Sequence, residues 1–393
     1  MADMEGLALA QNGLVGAFVV TFHHLKGNTI LWSYPYDLDL DGVEFKASRS
    51  AMPSGSHVIK HDIVHFHVSG NLYAVAAFES MNDDTAERNL RARAVGIISA
   101  NVDHLHMHVD FLEHQCHHQL QITDEAQQNF DAIADYVTNF NAAQHPEAFR
   151  HIDVGIPAWV DVPGSPLQCE WSEGQITVAH KDGAMQQLLD AYGKRIMLFW
   201  KLALLKKRII FLTSPPVQHA CQRVLACRAL GQRCVTNASL QTVLKPYGYQ
   251  NLSDIATIQN DDEYACCVTE TIFETKPKLY DVFVKEDKLI APDEGVNRLL
   301  RLTAADNRRF ARLNQLLRAS NSDSTIVQYF VELNSKILAA LAIARDRPTR
   351  RVTKDDVAAV GLHPRDDGPL IVELAAVYCP EVDVEDMSDC TCL

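Results

Sequence analysis

The chain has 393 residues, 47% hydrophobic and 22% charged, a globular composition long enough for about two or three cores. Its formal net charge of −14 argues against nucleic acid, whose phosphates call for a basic surface. The opening MADMEGLALAQ lacks the basic start of a signal peptide, and the longest apolar run, Ile196 to Leu205, is far below the roughly 20 residues that span a bilayer. A cytoplasmic protein is therefore expected, and its ten cysteines read as reduced, buried thiols.

GAFVVTFHH and NTILWSYP carry the β-branched and aromatic density of strands, with Gly27-Asn28 turning between them. After an acidic loop from Asp37 to Ser56, HDIVHFHV and NLYAVAAFE form a second hairpin across Ser69-Gly70. TAERNLRAR reads as a short polar helix and AVGIIS as a fifth strand. Leu105, Val109, Leu112, Cys116 and Leu120 then mark one helix face. Ala126, Phe130, Ile133 and Val137 mark another, opened by a capping box of Asp124 and Gln127. An antiparallel sheet packed by helices thus occupies residues 1–140.

Residues 141–174, with four prolines and no sustained periodicity, read as a linker. From 175 to 300 the pattern is α/β. One long helix, AMQQLLDAYGKRIMLFWKLALL, leads to the strand RIIFLTS, the helix VQHACQRVLACRAL follows, and EYACCVTE and LYDVFVKE add strands of a mainly parallel sheet. Residues 301–380 are helical: Thr303 caps one helix, Thr353 caps a short one ending at Gly361, and Pro369 sits in the first turn of the last. The acidic tail, 381–393, is expected to be flexible.

No phosphate-binding glycine loop, dinucleotide fingerprint, nucleophile elbow or zincin motif occurs, so no catalytic residue and no cofactor are assigned. His114 and His118, one helical turn apart, are the weak candidates for a metal; His104 and His108 repeat the spacing. Without two further ligands in register, the plainer account is a solvent-exposed histidine-rich face. Lys194-Arg195 and Lys206-Lys207-Arg208 flank IMLFWKLALL, whose all-round apolarity fits burial better than a membrane surface. The ending Cys390-Thr391-Cys392-Leu393 has the outline of a prenylation box without an aliphatic middle or polybasic approach, so no lipid anchor is assigned.

Five stretches, TFHHLKGNTILWSYPYDLDLDGVEFKASRSAMPSGSH, ARAVGIIS, FLEHQCHHQL, LFWKLALLKKRIIFLTSPPV and YDVFVK, closely resemble the LCHN-type DENN-domain proteins, in order and with similar spacing. The resemblance implies an N-terminal longin-like module, a core DENN α/β module and a helical downstream region. It implies a guanine nucleotide exchange factor for a Rab-type small GTPase, clasped between the first two modules, with peripheral contact at vesicle membranes. Tyr34, Tyr36, Asp37 and Asp39 are the candidate edge of that groove. Longin-DENN relatives that activate hydrolysis supply an alternative, for which Arg88, Arg91 and Arg93 are the available arginine fingers. A non-catalytic GTPase-binding adaptor is the third reading.

Overall fold

The computed structural model describes residues 13–23, 25–36, 43–84, 90–123, 127–143, 151–154, 174–235 and 240–388. Five antiparallel strands, β1 (Leu14–His23), β2 (Gly27–Tyr34), β3 (His61–Ser69), β4 (Leu72–Asn82) and β5 (Leu90–Ser99), lie in the order β3-β4-β5-β1-β2. Strict alternation sends Ala74, Ala76 and Phe78 of β4 to one core and Val75 and Ala77 to the opposite one. Helix α1 (Val43–Ser50) packs near β2 and β3, while α2 (Val109–Gln121) and α3 (Asp131–Ala143) contribute to the second core.

The α/β half follows. After the hairpin β6 (His151–Val154) and β7 (Gly174–Thr177) come α4 (Ala184–Tyr192) and α5 (Ile196–Leu204), then β8 (Ile209–Leu212) and α6 (Gln218–Leu230). Strands β9 (Lys245–Tyr249), β10 (Tyr264–Val268) and β11 (Val282–Lys285) run parallel with β8, and β12 (Lys288–Ile290) folds back antiparallel at the edge. All nine residues of α5 are buried, Lys201 included, as its unbroken apolarity requires.

The two halves were expected to carry separate sheets; they form one sheet of ten strands, joined where β3 meets β9 antiparallel at Phe66 and Gly248. The join is a bulge: between Ala265↔Pro246 and Cys266↔Gly248 the register slips, and Gly248 takes φ +61°. A Cβ there would stand 2.1 Å from the His65 carbonyl oxygen, so only glycine lets the backbones touch. Beside it His67 stacks on Tyr247 at 4.0 Å, and Tyr247 lies parallel to Tyr264 at 5.4 Å.

Downstream lie α7 (Glu294–Leu299), α8 (Ala304–Ala319), α9 (Asp323–Asp346), α10 (Lys354–Ala359) and α11 (Pro364–Tyr378). Thr303 with Asp306 and Thr353 with Asp356 form the expected caps as complete capping boxes. Helix α9 is long and apolar enough to cross a membrane by length and composition, but most of its most apolar stretch is buried within the fold. The region is tied to α5 by buried charges. Lys201 Nζ donates to Asp306 Oδ2 at 2.6 Å, and Arg309 donates to Asp306 Oδ1 at 2.8 Å and to both Asp367 oxygens at 2.5 and 2.9 Å. The Arg309 guanidinium also lies 5.1 Å from the Trp200 ring.

Several expected elements differ. Residues 90–93 are strand, not helix, because ladder pairing with β4 continues to Asn82↔Leu90 and Ala92 and Ala94 fill the first core. The acidic loop contains α1, and the long helix before β8 is divided by Gly193 at φ +51°. Helix α3 starts at Asp131, whose N–H donates to Asn129 Oδ1 at 2.7 Å; Asp124 lies outside the described residues. Within the linker, α3 continues to Ala143 and β6 pairs with β7. Pro369 is interior to α11, whose N1 proline is Pro364. The tail is not loose through Ser388: strand β14 (Asp383–Val384) pairs with β13 (Arg351–Val352), and Met387 packs against Gly368.

Gly248→Ala should lower unfolding stability by about 3–5 kcal/mol in denaturant titration, combining a disfavoured φ with a backbone clash where Gly248 pairs with Phe66 across β3 and β9. Asp306→Ala strands the buried Lys201 ammonium and takes one of two carboxylates from Arg309, and should cost about 3–5 kcal/mol; a loss below about 1 kcal/mol would class the Lys201–Asp306 pair with surface ion pairs.

Candidate partner-binding site

At one rim of the joined sheet, both halves present chain. At the carboxyl ends of β9 and β10, the segment leading into β3 crosses over Tyr249, where Ser54 N–H donates to Tyr249 Oη at 3.0 Å. Tyr249 Oη also lies 3.4 Å from Thr269 Oγ1, and Asn251 Nδ2 donates to Ser50 Oγ at 3.3 Å. Burial pushes the Tyr249 phenol up, so at neutral pH it serves as an uncharged hydroxyl link. Below the rim Asp62 is fully buried and accepts from the N–H groups of Val217 at 2.7 Å and Gln218 at 3.0 Å, capping α6 from the other half of the molecule.

Just beyond these anchors the rim exposes apolar side chains. Val58 follows Gly55, which abuts Pro215, and is 73% exposed. Leu252 follows Tyr249 and is 47% exposed, and Ile272 follows Thr269 and is 46% exposed. Such a rim, outside the carboxyl ends of parallel strands, is where open α/β sheets offer their binding crevice. Nothing in the sequence distinguishes these three from core residues, and Asp62 is equally silent because its partners lie about 155 residues away.

Tyr34 and Tyr36 stand at the opposite end of the strands. Tyr34 pairs with Ala17 near the start of β1, whereas the rim adjoins the start of β3. The Tyr34 hydroxyl lies 3.1 Å from Thr138 Oγ1 and its ring parallels Trp32, which stacks on Phe130 at 5.1 Å, so Tyr34 helps seat α3 on β2. Tyr36 is 83% exposed; Asp37, Asp39 and Arg88 lie outside the described residues, as does Cys390. Arg91 is paired with Asp83 and donates to the Leu120 carbonyl at 3.1 Å, and Arg93 is buried against Thr21.

His114 and His118 are exposed on α2, and among the described residues no group of three or more His, Cys, Asp or Glu side chains is arranged to hold a metal. His104 and His108 are instead fully buried, contrary to the solvent-exposed reading. Ser99 Oγ donates to the Gly13 carbonyl at 3.0 Å and accepts from Asn101 N–H, which fixes the rest of the relay. His104 Nε2 donates to Ser99 Oγ at 3.0 Å, and with His104 kept neutral by burial its Nδ1 accepts from His108 Nε2 at 3.0 Å, while His108 Nδ1 lies 2.7 Å from Tyr136 Oη. This relay bolts α3 to the end of β5. The seven cysteines among the described residues are free and buried, and burial pushes the Cys116 thiol up to about 12.

A family model described as DENN domain-containing protein 11 matches residues 17–295. The DENN domain-containing protein 11 of Danio rerio is 33% identical over 382 residues, covering 93% of this chain and 75% of the relative. Those of Xenopus laevis and Rattus norvegicus are 31% and 30% identical, covering 94% of this chain and 85% and 81% of their own lengths.

The buried histidines predict an acid-labile fold. Burial lowers His104 to about 4 and, with the neighbouring His106, His65 to about 3; both His65 nitrogens are buried without a hydrogen-bond partner. Between those values and 6.5 the unfolded chain binds protons that the fold refuses, so the stability present above pH 6.5 is lost as pH falls towards 4 and then 3. Each unit of depression is worth about 1.4 kcal/mol. His65→Leu should flatten this dependence in urea melts run from neutral to acid pH and leave neutral stability unchanged or higher. An unchanged acid slope in that variant would remove His65 as a cause.

Proposed function

The chain belongs to the DENN domain-containing protein 11 family, and on that premise we propose that it binds a Rab-type small GTPase and promotes release of its GDP at vesicle surfaces. The observation that carries this reading is the apolar rim of Val58, Leu252 and Ile272, presented by turns from both halves of one continuous sheet. DENN-domain proteins are generally associated with exchange on Rab GTPases, and exchange needs a surface rather than acid–base machinery. A scaffold that binds the nucleotide-free partner more tightly than the loaded one must, by reciprocity, loosen the nucleotide. It does so over an interface of about 1,200–2,000 Å² or more. Hydrolysis stimulation draws no support from Arg91 and Arg93, whose guanidiniums are engaged within the fold.

Release of a fluorescent GDP analogue from a panel of Rab GTPases provides the test. At least one Rab should be accelerated by the wild-type chain, and Val58→Glu with Leu252→Glu should reduce that acceleration by about tenfold or more while the melting temperature stays put. Binding without release would make the chain an adaptor. Acceleration that the double variant retains would move the contact away from the rim.

A further inference from the structure

Against the overall charge of −14, the stretch from Gly295 to Ser322 holds six arginines and one acid, Asp306. That acid is buried and bonded to Lys201 and Arg309, so it cancels nothing at the surface. Arg298, Arg301, Arg308, Arg312 and Arg318 are exposed. At about 3.6 residues per turn, Arg308, Arg312 and Arg318 share one outer arc of α8, opposite its buried Asp306 and Leu313. The remaining exposed positions on that arc are Ala304, Asn307, Ala311, Gln315 and Ala319. The helix also packs against the turn 193–195, which sets Lys194 and Arg195 beside it. Nearby acids offset this weakly: Asp366 stands 3.6 Å from Arg308, and Asp287 pairs with Arg195 at 3.1 Å.

We propose that the outer face of α8, with Lys194 beside it, is the surface by which this protein docks on an anionic membrane. A solvated helix face ordinarily mixes both signs to stay soluble, whereas this arc carries only one. It has no exposed aromatic or large aliphatic anchor and only small or amide side chains between the arginines. That profile suits a diffuse sheet of lipid phosphates better than a structured polypeptide, whose recognition would centre on buried aromatic or apolar anchors. Against a net charge of −14 for the chain, this one-signed arc gives an approach to an anionic bilayer a preferred orientation.

The experiment is co-sedimentation of the full chain with phosphatidylcholine vesicles, with and without phosphatidylserine and phosphatidylinositol 4,5-bisphosphate. Wild type should bind only the anionic vesicles and release as salt rises from about 0.1 to 0.5 M. Arg308→Glu, Arg312→Glu and Arg318→Glu together should weaken binding by about tenfold or more with unchanged melting temperature. Lys26→Glu, Lys60→Glu and Lys278→Glu, an equal change of net charge on exposed lysines elsewhere, should weaken it far less. The proposal fails if wild type ignores anionic vesicles, or if both triple variants lose binding equally. Capture of an acidic polyglutamate peptide in the absence of vesicle binding would replace the membrane with an acidic protein partner.

Discussion

Buried helix amino termini impose the constraint on which this molecule's assembly depends. A helix that begins inside the fold leaves N–H groups that water cannot reach, and each needs an acceptor. Three of these termini are satisfied by carboxylates from distant segments. Asp62 of β3 accepts at the start of α6, Asp323 of α9 accepts from Met185 and Gln186 at the start of α4, and Asp366 of α11 accepts from Ala305 at the start of α8. Each contact is local electrostatics, a negative charge at the positive end of a helix. Each also joins separate parts of the chain, so the N-terminal, α/β and helical portions cannot part without exposing a charge or orphaning a donor.

The same logic explains why charge enters the core at all. Lys201 lies within a fully buried helix and Arg309 on the inner face of α8, and each would be prohibitive alone. Asp306 and Asp367 face them, with Thr303 N–H and His363 N–H completing the carboxylates' coordination at 2.9 and 2.8 Å. Asp306 is consequently held below the usual carboxylate range by Lys201 and Arg309 against a large cost of burial. Trp200 and Asn334 extend the network, the indole N–H donating to Asn334 Oδ1 at 2.6 Å and the amide returning to the Leu230 and Gln232 carbonyls, each at 2.8 Å. Networks of this kind fix how layers meet more than they add stability.

Where the sequence was legible, the signal was local. Alternation drew β1 to β4 and the apolar strand β8, and Thr303 and Thr353 announced their helices through side chains three residues from their targets. Where it was not, the deciding partner was remote or the local signal pointed elsewhere. Lys245–Tyr249 contains Pro246 and Gly248, two residues that argue against a strand, yet Gly248 is what lets β9 reach β3. Arg91 and Arg93 look like a polar helix until β4 supplies the ladder. The acidic tail has a disordered composition, and strand β13 with the space at Gly368 holds its first part down. His104 and His108 read as surface because their partners Ser99 and Tyr136 come from a strand and a later helix.

On the proposed reading as an exchange factor, these two kinds of surface divide the work between them. Loosening a nucleotide requires that the scaffold not yield, since any relaxation of the rim would return binding energy that should bear on the partner. Gly248, Asp62 and the Tyr249 hydroxyl tie the turns that carry Val58, Leu252 and Ile272 to one continuous sheet, while no lysine or arginine is among those three. The basic arc sits instead on a helix of the downstream region, linked to the sheet through α5 and the buried Lys201–Asp306 pair. Apolar contact at the rim can therefore select a protein partner, and long-range charge on α8 can select a surface, without either compromising the other.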